Sequence, residues 1–94
     1  MPHVHNAKEK RAKRCKRQRN KCYWCGEPMN SKPGDAREAT LEHLTPRSNG
    51  GGGSIGNLRA VCRECNERRG SLPVADWEER LRVERMERTK GLDF

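Results

Sequence analysis

Large apolar side chains are scarce in this sequence, which holds one Phe, one Tyr and two Trp in 94 residues and is 31% hydrophobic. So small a chain buries only a modest share of its surface, and a metal or disulfides usually supply the missing stability. No apolar run approaches the roughly 18 residues that cross a bilayer. The opening Met1-Pro-His-Val-His leads straight into charge, without the apolar segment of a secretory leader. No membrane partner is expected, and the reading is a soluble, intracellular protein of one thin domain.

A disulfide framework is also lacking. The cysteines number five, and Cys15 stands unpaired among Lys and Arg, a pattern that suits a reducing compartment. The other four form two pairs, Cys22-x-x-Cys25 and Cys62-x-x-Cys65. Two intervening residues let one turn present both sulfurs to the same ion, so the four thiolates read as a closed tetrahedral zinc site. Two disulfides are the competing use of these residues, and a reducing setting disfavours them. With every position taken by sulfur, such a zinc activates no water and is structural. The 36 residues between Cys25 and Cys62 exceed a short zinc ribbon, so that insert should be the working part.

The net charge of +8 lies wholly in residues 1–21, which carry nine Lys or Arg against Glu9 alone. The remaining residues balance at twelve of each sign. A basic block of this kind, with Lys13, Arg14, Lys16 and Arg17 at its centre, points to a polyanionic partner, most simply DNA. The order expected along the chain is a basic arm (1–21), a working domain (22–73), and a C-terminal helix with its tail (74–94). The arm from Asn6 to Asn20 is rich in helix formers but has no continuous apolar stripe, so it should order against a phosphate backbone.

Cys22 to Gly26 reads as a knuckle turn, and Pro28 to Gly34 as loop. Glu38 to His43 reads as a strand, with Ala39 and Leu41 on one face and Thr40 and Glu42 on the other. Ser48 to Ser54 is a glycine-rich loop, and Asn57 to Val61 a second strand. Cys62 to Arg69 should be a helix stopped by Gly70. Val74 to Lys90 should be a last helix docked by Val74, Trp77 and Leu81, with Val83 and Met86 pointing elsewhere. Its Glu78–Arg82 and Glu84–Arg88 spacings suit i,i+4 ion pairs. The fold class expected is a small α+β zinc-stabilised domain.

Phosphodiester hydrolysis needs an activated water, a cation on the phosphate and stabilisation of the leaving oxygen. His43 has the imidazole to accept the water proton near neutral pH. Glu42, at a bend of the strand end, and Asn66, in the first turn after Cys65, offer a carboxylate and an amide oxygen to Mg²⁺ or another divalent ion. A solvated Glu-His pair, a capping Asn66 and a turn-forming Asn57 are the plainer readings of each residue taken singly.

Their order inside the four-cysteine frame resembles the HNH endonucleases, the ββα-metal or His-Me finger. Glu42-His43, the glycine-rich stretch Asn49 to Gly53, Asn57-Leu58 and Cys62-Arg-Glu-Cys65-Asn66-Glu-Arg-Arg69-Gly70 follow one another as in that family. The resemblance implies a ββα-metal finger with His43 as general base and Asn57 orienting it. It implies Glu42 and Asn66 as ligands of the catalytic ion, and DNA as substrate for nicking or cutting. Arg63, Arg68 and Arg69 would then meet phosphates from the finger helix. Asn66 stands where the family name has its last His, and Glu42 where Asp is commoner. Small members of this family are frequent in phage genomes beside packaging genes, so a phage origin and a packaging partner are implied by resemblance alone. A zinc-stabilised nucleic-acid-binding module without catalysis is the rival reading, and a zinc adaptor for a protein partner is a weaker third. Glu42-His43 argues against the first of these, and the basic arm against the second.

Overall fold

The computed structural model describes residues 6–45 and 52–91. Helix α1 (Ala7–Arg17) is followed by the knuckle, strand β1 (Ala39–His43), a 3₁₀ turn (Ile55–Asn57), strand β2 (Leu58–Cys62) and helices α2 (Arg63–Arg69) and α3 (Val74–Gly91). β1 and β2 form a two-stranded antiparallel sheet that pairs Ala39 with Cys62, Leu41 with Ala60 and His43 with Leu58. The result is a small α+β domain with four cysteines placed to hold a metal ion. No helix among the described residues is long and apolar enough to cross a membrane.

Local chemistry sets the element ends. The Asn6 side chain accepts the Glu9 N–H at 2.9 Å and caps α1. Cys62 closes β2 and also caps α2, its sulfur accepting the Cys65 N–H at 3.4 Å. Gly70, at φ +54°, ends α2 in a conformation that a side chain would strain.

Several details differ from the sequence reading. Glu38 stands outside β1, bridged to Asn30, and Asn57 closes the 3₁₀ turn rather than opening β2. Most of the glycine-rich stretch Asn49 to Gly53 lies outside the described residues. On α3, Arg82 pairs with Glu79, one turn position nearer than Glu78, and Glu84 pairs with Arg68 of α2 rather than with Arg88.

The basic segment is docked on its own domain. The Gln18 amide accepts the Ala60 N–H at 2.9 Å and donates to the Ala60 carbonyl at 2.8 Å, extending the β2 edge like a short strand. Lys10 donates to the Gly53 carbonyl at 2.6 Å. The chain then reverses through Arg19 and Asn20, both at positive φ. Asn20 offsets that strain by donating from its side chain to the Met29 carbonyl and accepting the Met29 N–H at its own carbonyl. The arm expected to order against a phosphate backbone is at its C-terminal end ordered by the domain itself, because the edge of β2 has backbone groups to satisfy.

The core is compact. Trp24, Met29, Ala60, Val61, Trp77 and Leu81 are buried around the cysteines, with Trp24 and Trp77 edge to face at 6.4 Å. Trp77 and Leu81 dock α3 as the periodicity predicts, and Val83 and Met86 are exposed.

Candidate active site and metal cage

The four sulfurs of Cys22, Cys25, Cys62 and Cys65 lie within 4.8 Å of one another. A zinc tetrahedron with bonds of about 2.3 Å has edges of about 3.8 Å, and the Cys25 and Cys62 sulfurs are 4.0 Å apart. The donor set and its spacing therefore fit zinc. The knuckle brings up the first pair, and the β2–α2 junction the second. Backbone N–H groups of Trp24, Cys25 and Cys62 point at the Cys22 sulfur at 3.3–3.5 Å. The Cys22 thiol is held down to about 4, first by its hydrogen bond with Cys65 and, against burial, by those N–H groups. Cys65 is pushed up by the same bond and by its own burial.

Strand alternation places Glu42 and His43 on opposite faces of β1. His43 is half-buried at the strand end, and no described residue hydrogen-bonds its imidazole. The backbone beyond it is clamped by Asn57. That side chain accepts the Thr45 N–H at 2.9 Å and donates to the carbonyls of Thr45 and Gly52 at 3.0 and 2.8 Å. The Asn57 carbonyl also accepts the Leu44 N–H at 2.9 Å. Asn57 thus acts on the chain that follows His43 and closes the base of the intervening loop, without touching the ring.

On the other face, the Asn66 side-chain amide donates to Thr40 Oγ1 at 2.9 Å, and Thr40 donates in turn to the Val61 carbonyl at 2.8 Å. No described residue donates to the Asn66 side-chain oxygen. Glu42 is 7% exposed and saturated: Arg69 Nη1 sits 2.7 Å from one oxygen, and the Trp24 indole N–H bonds the other. Arg69, 9% exposed, also donates to the Leu72 carbonyl at 3.0 Å. Among the described residues only the four cysteines form a metal-ready cluster, and Glu42 would reach an ion only by giving up a present partner.

A family model for HNH endonucleases matches residues 22–75, more than half of the sequence. The chain belongs to the HNH endonuclease family. It is also 32% identical over 69 residues to the CRISPR-associated endonuclease Cas9 of Corynebacterium diphtheriae, across 72% of this chain and 6% of that protein. The chain therefore corresponds to a small part of that relative.

The HNH match leaves α1 and most of α3 outside it. Within the match, the three arginines expected on phosphate are all engaged inside the domain. Arg63 pairs with Glu38 and, at 3.7 Å, with Glu67. Arg68 pairs with Glu84 and lies over the Trp77 ring at 5.3 Å. Arg69 is the buried partner of Glu42, so reaching a phosphate would strip that carboxylate of its cation. On α1, Lys13, Lys16 and Arg17 are exposed. Arg14 is half-buried and its pKa is lowered, first by burial and then by the charges of Arg59 and Arg17. Sequence reasoning missed Trp24, Thr40 and Gln18, whose roles depend on contacts 18 to 42 residues away. It also missed Arg59, whose guanidinium lies 5.2 Å from the Tyr23 ring centre.

Proposed function

We propose that this HNH protein is a divalent-metal-dependent endonuclease that hydrolyses DNA phosphodiester bonds. The observation that carries this reading is the imidazole of His43 at the end of β1, hydrogen-bonded by no described residue, with Asn57 clamping the backbone after it. On the opposite face of the strand Thr40 fixes the Asn66 amide. In this reading His43 takes the proton as the water oxygen bonds to phosphorus and a P–O ester bond breaks. Asn66 would hold a divalent ion, which would supply positive charge to the phosphate oxygens. Glu42 positions the finger by tying β1 to α2 and the knuckle. It becomes a ligand only if the ion replaces Arg69 or Trp24 at its oxygens.

The DNA-facing surface in this reading is the exposed side of α1 with Lys13, Lys16 and Arg17, joined by Arg14 and Arg59. The like charges of Arg14, Arg17 and Arg59 crowd one another, and that crowding favours a polyanion. A binding module without catalysis is the second reading, and the saturation of Glu42 is what favours it. Supercoiled plasmid incubated with the zinc-loaded protein and Mg²⁺ separates the two. Relaxed or linear product that a chelator of Mg²⁺ abolishes supports the nuclease, and retarded but uncut plasmid supports the module.

A further inference from the structure

Arg37 does nothing in the functional reading above, yet its backbone and side chain are both held beside the cage. Its backbone N–H donates to Asp35 Oδ1 at 2.8 Å, and its carbonyl accepts the Asn30 N–H at 2.9 Å. Its Nε donates to the Pro28 carbonyl at 3.0 Å. These anchors aim the guanidinium at sulfur: Nη1 lies 3.3 Å from Cys62 and 3.5 Å from Cys25, and Nη2 lies 3.5 Å from Cys25. Cys25 is the least buried of the four cysteines.

We propose that Arg37 is a positioning residue of the metal cage, one that holds the Cys25 and Cys62 thiolates for zinc and shields Cys25 from electrophiles. The physical argument starts from charge. Four thiolates outnumber the two positive charges of Zn²⁺, so the loaded cage carries a negative excess. Hydrogen bonds from a fixed cation draw electron density from the two sulfurs it touches, which lowers their nucleophilicity and steadies them as ligands. The shield belongs on Cys25 because the other three sulfurs are covered by protein. The bond from Nε to the Pro28 carbonyl, on a backbone fixed by Asp35 and Asn30, reduces the side-chain entropy that metal loading would otherwise cost.

The test uses the full zinc-loaded chain and the variants Arg37→Gln and Arg37→Lys. In competition with a chromogenic chelator, Arg37→Gln should lose roughly 10- to 100-fold in zinc affinity, the usual scale for an outer-shell partner. Arg37→Lys, which keeps the charge and loses the fork, should fall between it and the wild type. Under limiting iodoacetamide, the Cys25 thiolate displaces iodide, and mass spectrometry should find Cys25 alkylated first and faster in Arg37→Gln. In the cobalt-loaded protein, the thiolate-to-metal charge-transfer band should move to lower energy in Arg37→Gln as the sulfurs regain electron density. If Arg37→Gln does not fold, Arg37→Lys carries the same three readouts. Wild-type zinc affinity and an unmoved cobalt band in the folded variant would overturn the proposal. So would labelling that quickens equally at all four cysteines.

Discussion

Replacing Glu42 by Gln should destabilise the zinc-loaded protein far more than loss of a surface carboxylate would. The Glu42–Arg69 pair is 2.7 Å long between side chains 7% and 9% exposed, and the Trp24 indole fills the second carboxylate oxygen. The Gln amide carries no charge and can accept from only one of Arg69 and Trp24, so the buried guanidinium loses its counter-ion and one buried donor loses its acceptor. Breaking a buried pair from one side typically costs about 3–5 kcal/mol. A domain of this size has only about 5–15 kcal/mol of stability. Each kcal/mol moves the melting point of a 60–100-residue domain by about 4–8 °C, so the drop should be about 12 °C or more. The assay is thermal and urea unfolding of zinc-saturated protein, with zinc content measured on each sample. Arg69→Met combined with Glu42→Gln should recover part of the loss, because the orphaned charge is then gone. A carboxylate kept open for a catalytic ion would behave otherwise, with stability unchanged and the loss confined to metal affinity. A fall of less than about 1 kcal/mol, the value of an exposed pair, would refute the buried-lock account of Glu42.

Cys62→Ser removes both a zinc ligand and the cap of α2, and it should unfold the domain as judged by far-UV circular dichroism; a compact, metal-free variant would contradict the structural role of the cage. Exchanging Lys13, Lys16 and Arg17 for Gln should weaken DNA binding and flatten the slope of log affinity against log salt by about 0.9 per lost phosphate contact; an unchanged slope would remove α1 from the interface. The Glu38 carboxyl is held below its ordinary value, first by the Arg63 hydrogen bond and then by the Gly34 N–H. A folded pKa below the unfolded one adds stability that is present above the unfolded value and lost as pH falls through the folded one. Glu38→Gln should therefore be less stable than wild type near neutrality, with the two melting curves converging on acidification through that range; a gap that persists in acid would contradict it.

The frame was legible because it rests on short-range chemistry. Cys-x-x-Cys spacing, strand alternation around Leu41 and Leu58, and the Gly70 stop each act within a few residues, and all appear in the fold. The docking of Trp77 and Leu81 was legible from helical period alone. Side-chain partners were not, because a charged residue chooses among neighbours that only the tertiary fold supplies. Glu42 reads as an open ligand until Arg69 and Trp24 arrive from elsewhere in the chain. Gln18 reads as one more polar residue of a basic arm until the edge of β2 needs a donor and an acceptor. Arg63 and Arg68 read as phosphate contacts until Glu38 and Glu84 are folded against them. No pattern in the sequence marked Arg37, whose significance comes only from the two sulfurs its guanidinium meets.

The central claim is that His43 carries the chemistry, and the direct measurement is plasmid cleavage by His43→Ala at saturating Mg²⁺ beside the wild type. The imidazole bonds to no described residue, so the substitution should leave zinc content, melting point and DNA affinity in place. Cleavage should fall by at least about 10²-fold, the scale of a lost general base, and added metal should not restore it. Cleavage at the wild-type rate by the folded, zinc-loaded variant would contradict the assignment of His43 and leave the domain a nucleic-acid-binding module.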